Sequence, residues 1–595
     1  LRKNLKKLGE DNIRFVLDHP AADGKLGPAD MNAISIKLIG GGKEGVIDKS
    51  ETAAAPQTPT QWPFAVLSRA LMAYYSATGD KRLIEALATH YLALPADFGK
   101  APRDVDTIEG MVWVYGQTGD HRLLDKAKQT YKNFTANPKS KWALSNLAAA
   151  LPMSGHGVSV SEATKQPALL YLYTGEKEYL DAAVGGFTSI QRDHEMVDGV
   201  TSSDSGLSGK EPDHEYETCV ISDYSWSLGY LLQASGDAKW ADTVERCVLN
   251  AGLSVVDKDF KSFQYYASPN QVVATNSSMN PTTGTKYREH QAYRPDMSIQ
   301  CCTGNVHRFL PNYAARMWMR DARGGIVAML YGPCTLKTSA GSDPVSITIN
   351  EKTDYPFDGA IELRITTAKP VHFPLYIRVP GWVDNATISV NAHPVTDKPT
   401  PAAFYKLDRT FRSGDVISIN FPMKVRMENP VTQGVSLLRG PLVFALKIKV
   451  DARVGTKKMP DTMKYDTAFP SWDLTPASPW NYALVLKGPE DLGKVKVSVR
   501  PIKAFPWTPD TSPVVLTAPA RKVPAWVLGQ AKSKAGSIIA INPPLPSPPL
   551  VFAPETEQVE LIPDGATQLR ISVFPAAYAP ASRGNMEAHA ADVLP

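Results

Sequence analysis

The sequence predicts a multidomain α + β protein: an N-terminal (α/α)6 toroid over residues 1–322, then two antiparallel β-sandwich domains over 323–455 and 456–595. Three observations carry that expectation. A helix that ends in glycine followed by an acid recurs four times before residue 240, apolar spacing changes from helical to alternating after Asp321, and 595 residues exceed what one hydrophobic core serves.

In chain order, Leu5 to His19 has the spacing of a helix, Ile34-Ser35-Ile36 is short and β-like, and Thr52 to Thr60 reads as an Ala/Pro/Thr loop. Helical runs then come in pairs: Phe64 to Ala77 with Arg82 to Leu92, and Thr107 to Gln117 with Arg122 to Phe134. A run through Tyr171 to Tyr173 precedes Glu178 to Ile190, and Trp226 to Ala234 precedes Lys239 to Leu253. Each pair is joined by Thr-Gly-Asp, Thr-Gly-Glu or Ser-Gly-Asp. Glycine accepts the left-handed position that ends one helix, and the acid suits the N-terminus of the next. Gly79, Gly119, Gly175 and Gly236 lie 40, 56 and 61 residues apart, too irregular for a stacked solenoid and suited to hairpins whose variable loops build one end of a toroid.

After Asp321, Gly325 to Leu330, Val345 to Ile349, Ile361 to Ile365 and Val416 to Ile419 alternate as strands do. A linker is expected over Val450 to Pro479. Beyond it, Asn481 to Lys487, Val495 to Arg500, Glu557 to Leu561 and Gln568 to Phe574 read as further strands, with Pro543 to Pro549 an extended surface loop.

Composition narrows the function. Hydrophobic residues make up 43%, charged residues 21%, and formal net charge is +4 without a dense basic block, so neither nucleic acid nor an anionic membrane is expected as partner. No apolar run is long enough for a transmembrane helix. The chain starts at Leu1 without a signal-peptide pattern, which suggests trimming, and a secreted or periplasmic protein, with a cytoplasmic one as the alternative, monomeric or homodimeric, is expected. Five cysteines are too few for a disulfide scaffold.

Three of those cysteines stand out. Glu217-Thr218-Cys219 and the adjacent pair Cys301-Cys302 together offer one carboxylate and three thiols, a donor set that suits tetrahedral Zn²⁺. Buried free thiols and a vicinal disulfide are the plainer readings of the same residues.

Eight motifs in order carry a resemblance. They are Gly155-His156-Gly157, Glu217-Thr218-Cys219, Phe263-Gln264-Tyr265, Cys301 to Asn305, Leu375 to Trp382, Leu438 to Val443, Ser478 to Leu484 and Leu561 to Ala566. With these the chain, from about residue 60 onward, resembles glycoside hydrolase family 127, whose founding activity is exo-acting β-L-arabinofuranosidase. The resemblance implies a glycosidase acting on an oligosaccharide or polysaccharide. It implies Zn²⁺ held by Glu217, Cys219, Cys301 and Cys302, with Cys301 as nucleophile. His156 and Tyr265 match sugar-contacting positions, and Asp106 falls where relatives often have His. The family's acid is a Glu before E-x-C; here Ser205 stands at that position, so Asp204, or more distantly Glu211, is the substitute.

Two rivals use the same residues. A polysaccharide lyase would cast Tyr265, His156 and Arg308 as base and charge neutraliser. A non-catalytic glycan-binding protein with structural zinc would explain Ser205. Trp62, Trp113 and Trp226 lie in helical runs and are expected to pack rather than stack on sugar.

Overall fold

The computed structural model describes residues 2–26, 62–100, 103–204, 206–281, 291–297, 300–455, 468–532, 536 and 538–576. The expected strand Ile34–Ile36, the loop 52–60 and Ser205 lie outside the described residues. The chain forms two compact units, one of residues 1–193 with 230–236 and the other of 194–229 with 237–595.

The first unit is helical. Its helices include Arg2–Asp18, Trp62–Thr78, Arg82–Leu92, Ile108–Thr118, His121–Phe134, Gln166–Thr174 and Lys177–His194. The turns form for the expected reason. Gly79, Gly119, Gly175 and Gly236 have φ of 69°, 70°, 70° and 63°, and the Gly119 N–H closes the preceding helix on the Tyr115 carbonyl at 2.7 Å. Threonine does more here than the sequence reading assigned it. The hydroxyls of Thr118 and Thr174 accept the N–H of the following acid at 3.1 Å, and Asp120 then caps the next helix through the Arg122 N–H at 3.1 Å. Leu83, Leu87, Ile108, Met111, Leu123 and Leu170, all fully buried, share one core, and each contributes about 1.5–3 kcal/mol of transfer free energy.

The second unit contains the helices Lys239–Arg246, Cys301–Asn305 and Phe309–Ala315, most of Thr218–Ser235, and all strands among the described residues. Thr218–Ser235 continues into the first unit at its C-terminal end. The expected single helix over Lys239 to Leu253 is α-helical only over Lys239–Arg246 and becomes a π-turn over Cys247–Gly252. Asn250 is the physical cause: its side-chain amide donates to the Arg246 carbonyl at 2.7 Å and to the Pro441 carbonyl at 3.1 Å, while its oxygen accepts the Val443 N–H at 2.9 Å.

A six-stranded antiparallel sheet runs in the order His393–Pro394, Thr387–Val390, Val416–Asn420, Ala360–Thr367, Val345–Thr353, Cys334–Ala340. A four-stranded sheet orders Ala403–Phe411, Val371–Val379, Ile326–Ala328 and Trp318–Arg320. Ile347, Ile349, Leu363 and Ile365 of the first and Phe373, Leu375 and Ile377 of the second meet in one core. Their alternation in sequence is the alternation of side chains across a strand.

An eight-stranded sheet takes Val425–Glu428, Gly434–Arg439 and Leu442–Leu446 together with Tyr482–Leu484, Val514–Lys522 and Glu557–Pro563. Phe444 pairs with Pro563 across that join. The expected domain division at 455/456 therefore falls inside a single sheet. The flanks of the expected linker are also ordered, since Val450–Val454 pairs antiparallel with Trp472–Pro476; 456–467 between them lie outside the described residues.

Candidate metal centre and active site

Glu217 ends a two-residue strand, Tyr216–Glu217, that pairs with Tyr266–Ala267. Just past it the Thr218 N–H donates to the Tyr265 carbonyl at 3.0 Å and the Thr218 hydroxyl to the Gln264 carbonyl at 2.6 Å. The chain then turns into the helix Thr218–Ser235, which puts Cys219 in its first turn. Cys301 and Cys302 open the short helix Cys301–Asn305. The Ser222 hydroxyl donates to the Asn305 carbonyl at 2.8 Å, and Arg308 pairs with Asp223 at 3.0 Å. These contacts bring residues some eighty positions apart into one cluster.

One ligand atom from each of Glu217, Cys219, Cys301 and Cys302 lies within 4.8 Å of every other. The Cys219 and Cys302 sulfurs are 3.0 Å apart and all five cysteines are free, so the vicinal disulfide is absent. Zinc–sulfur bonds of about 2.3 Å put the sulfurs of a tetrahedral site roughly 3.8 Å apart, within the span of this cluster. Cys219, Cys302 and Glu217 are buried, and Cys301 alone is partly exposed. Burial pushes the Cys219 thiol well up, and the neighbouring Cys301 and Glu217 charge add to it; burial, then Cys219 and Cys301, do the same to Cys302. A group of acids that raise one another's proton affinity is completed by a divalent cation, and a set of three sulfurs and one carboxylate fits zinc.

Two tyrosines flank the cluster. The Tyr265 hydroxyl stands 3.2 Å from the Cys301 sulfur, and the Tyr266 hydroxyl reaches the Glu217 carboxylate at 3.5 Å and the Asp204 carbonyl at 3.1 Å. Asp204 is thereby one residue removed from the cluster and is buried. Glu211 is exposed on a turn, where the His214 N–H donates to its carbonyl; partial burial, then the charge of Asp213, raise its carboxyl.

Sequence reasoning missed Tyr266 and Asp213. Tyr266 had a signal, because it faces Glu217 across the ladder that the E-x-C strand needs. Asp213 is buried and its carboxyl is raised by burial and, more weakly, by Asp204, which no local pattern announces.

His156 and Asp106 belong to the first unit. His156 precedes the helix Gly157–Thr164, with Nδ1 3.4 Å from both the Arg103 guanidinium and the Ser159 hydroxyl. Asp106 is buried in the 3₁₀ turn Asp104–Thr107, where burial and then Glu162 push its carboxyl well up. Trp113 packs edge-on against Tyr75, and Trp226 carries the Arg316 guanidinium 3.9 Å from its ring centroid; the Trp62 side chain lies outside the described residues.

Residues 49–315 match the model of the beta-L-arabinofuranosidase catalytic domain of glycoside hydrolase family 127, and residues 325–423 match the middle domain of the same family. The chain belongs to glycoside hydrolase family 127. A non-reducing end beta-L-arabinofuranosidase of Bifidobacterium longum subsp. longum is 22% identical over 459 residues, covering 68% of this chain and 67% of the relative. A family 127 beta-L-arabinofuranosidase structure from Geobacillus stearothermophilus T6 superposes with a TM-score of 0.67 at 17% identity, over 96% of this chain and 87% of that one. A structure described as a glycoside hydrolase gives 0.70 at 20%, over 97% and 89%. These two share the fold. This family 127 chain is a glycoside hydrolase with a glycan substrate, which removes the lyase and non-catalytic readings. Arg308, which the lyase reading needs for a substrate carboxylate, already pairs with Asp223. Among the described residues no helix is long and apolar enough to cross a membrane. The middle-domain match ends at 423, ahead of the eight-stranded sheet rather than at 455.

Proposed function

We propose that this family 127 chain is a retaining, exo-acting glycosidase that uses Cys301 as its nucleophile and releases a terminal sugar, β-L-arabinofuranose-like or another unusual sugar, from a plant or algal glycan. In this reading the helical part is an (α/α) toroid and the sheets form β-sandwiches. The carrying observation is the asymmetry of the four-residue cluster: Cys301 is the one member open to solvent, while Glu217, Cys219 and Cys302 are buried around it. A nucleophile must be reached; ligands need not be.

Glu217, Cys219, Cys301 and Cys302 would hold Zn²⁺. When bound, the ion keeps the sulfurs deprotonated at neutral pH and offsets their mutual repulsion. The Cys301 sulfur attacks the anomeric carbon as the bond to the leaving oxygen breaks. Asp204 protonates that oxygen, then takes a proton from the water that displaces the sulfur, so two inversions return the starting configuration. The Tyr265 hydroxyl, 3.2 Å from the sulfur, orients it. Asp204 is preferred over Glu211 because Tyr266 bridges its backbone to Glu217 whereas Glu211 is exposed on its turn.

The test is intact-mass and peptide analysis after exposure to a cyclophellitol-type epoxide of arabinofuranose configuration. One adduct on Cys301, with activity lost in proportion, is the expected result. An adduct on Cys219, or full labelling of a Cys301→Ala variant, contradicts the assignment. For the acid, Asp204→Asn is expected to slow an alkyl arabinoside far more than an activated aryl one; equal effects reject Asp204.

A further inference from the structure

Two of the sequence motifs, 375–382 and 438–443, take no part in the metal centre, and in the second unit they meet. Gly381 and Trp382 of the first and Gly440 and Pro441 of the second line a cleft of about 370 Å³ together with Asp242, Arg246, Arg426 and Glu428. The cleft shares no residue with the metal cluster or its two tyrosines. Its volume lies within the roughly 300–1,000 Å³ of small-molecule sites.

The polar groups on its walls are held in place. Asp242 accepts the Gly381 N–H at 2.8 Å through one oxygen and pairs with Arg378 at 2.5 Å through the other. Arg246 grips Glu428 with two nitrogens at 3.1 and 2.8 Å. Arg426 gives both terminal nitrogens to the Gly440 carbonyl at 3.2 Å, with its guanidinium 5.9 Å from the Trp382 ring centroid. A Cβ at Gly381 would come within 2.8 Å of the Asp242 carboxylate and displace it.

Such walls discriminate between ligands. Asp242 and Glu428 hold guanidinium partners, Asp384 stands 3.8 Å from Lys424, and Glu195, also on the wall, accepts the Tyr224 hydroxyl at 2.9 Å, so an anionic ligand meets four carboxylates and has to break an internal ion pair to gain a guanidinium. A neutral polyol does not. An arginine has five N–H donors and a carboxylate about four acceptor positions, so each pair keeps capacity for hydroxyl groups after satisfying its partner. Fixed donors and acceptors beside one indole suit a ring with hydroxyls on its edge and C–H groups on its face.

We propose that this cleft is an ancillary binding site for a neutral sugar residue of a glycan chain, which anchors a polymer away from the point of hydrolysis. The proposal rests on the chain being a glycoside hydrolase and not on the assignment of Cys301.

The test uses the full chain with Cys301→Ala as background, in native gels containing neutral arabinan, galactan or arabinogalactan, with free L-arabinose and oligogalacturonate as competitors. Trp382→Ala and, because that tryptophan also packs on the core, the exposed cleft-edge variant Asp384→Ala are each compared with the background. The expected result is retardation by at least one polymer, weakened about tenfold by Trp382→Ala, as for loss of one ring contact, and measurably by Asp384→Ala. Free L-arabinose and oligogalacturonate should compete poorly. In the enzyme with Cys301 intact, both substitutions should leave aryl-glycoside kcat/KM unchanged and raise KM on the polymer. Unchanged retardation in both variants, no retardation by any polymer, or equal competition by the monosaccharide or the charged oligomer would each overturn the proposal. Failure of the Cys301 assignment has a separate signature, turnover by the Cys301→Ala background itself.

Discussion

Each unit of this glycosidase buries a cluster of acidic side chains, and the two clusters solve the problem of buried charge in opposite ways. In the first unit Glu109 and Glu162 are met by Arg69 at 2.9 and 2.5 Å and by Lys165 at 2.7 and 2.6 Å. Burial alone would raise the Glu109 carboxyl; Arg69 and Lys165 reverse that and hold it well below the usual range. In the second unit the charges acting most strongly on Cys219 come from Cys301 and Glu217 and raise its proton affinity further. In the first cluster the cations are the protein's own, and the second is a set of donors that could hold a metal ion. Buried carboxylates therefore do not mark a metal site by themselves; the sign of their neighbours does.

The largest expected effect lies in the second cluster. Cys301→Ala should reduce turnover of an aryl arabinofuranoside by about 10⁴-fold or more, since the bond-forming atom is gone, and Cys302→Ser should chiefly weaken metal retention. Steady-state kinetics beside metal analysis separates the two. If Cys302→Ser loses turnover while keeping its metal and Cys301→Ala does not, the roles are reversed.

Next comes the first cluster. Lys165→Met should destabilise the protein by about 3–5 kcal/mol, because it leaves buried carboxylates short of a cation. The loss, read by denaturant unfolding, should be the same with and without a chelator. A chelator-dependent loss would break the contrast drawn here.

A third buried carboxyl sharpens it. Among the described residues Glu351 has neither a metal set nor a close cation; burial pushes it up to about 7, although the Gly332 N–H donates to it at 3.1 Å. Instead it keeps its proton well above the usual carboxylate range. A carboxyl that titrates higher folded than unfolded gives stability that is full below its ordinary value of 4.5 and is lost as pH rises through about 7. Glu351→Gln should thus stabilise the protein above pH 7 by about 1–3 kcal/mol relative to the parent, with the advantage vanishing near pH 4.5. A constant difference across that range would refute the protonation account.

What the sequence made legible follows the range of the forces involved. The turns at Gly79, Gly119, Gly175 and Gly236 were readable because a left-handed helix end is a local requirement. Glu217, Cys219, Cys301 and Cys302 were readable as a set because few chemistries need three thiols and a carboxylate. The division at 455 was not, because pairing of 442–446 with 557–563 is set by contacts more than a hundred residues apart. The π-turn after Arg246 depends on Asn250 bonding Pro441 and Val443, and neither can be seen from the helix itself. Asp213 lacked any pattern, and its standing beside Asp204 emerges only once the segment before Glu217 is folded.

The most direct test of the contrast between the clusters is elemental analysis of the full chain purified without chelator, with cysteine oxidation state read by mass spectrometry on the same sample. The account predicts one zinc per chain, lost together in Glu217→Gln or Cys219→Ser variants and unaffected by Lys165→Met. Protein free of zinc, with Cys301 and Cys302 joined as a disulfide, would contradict it.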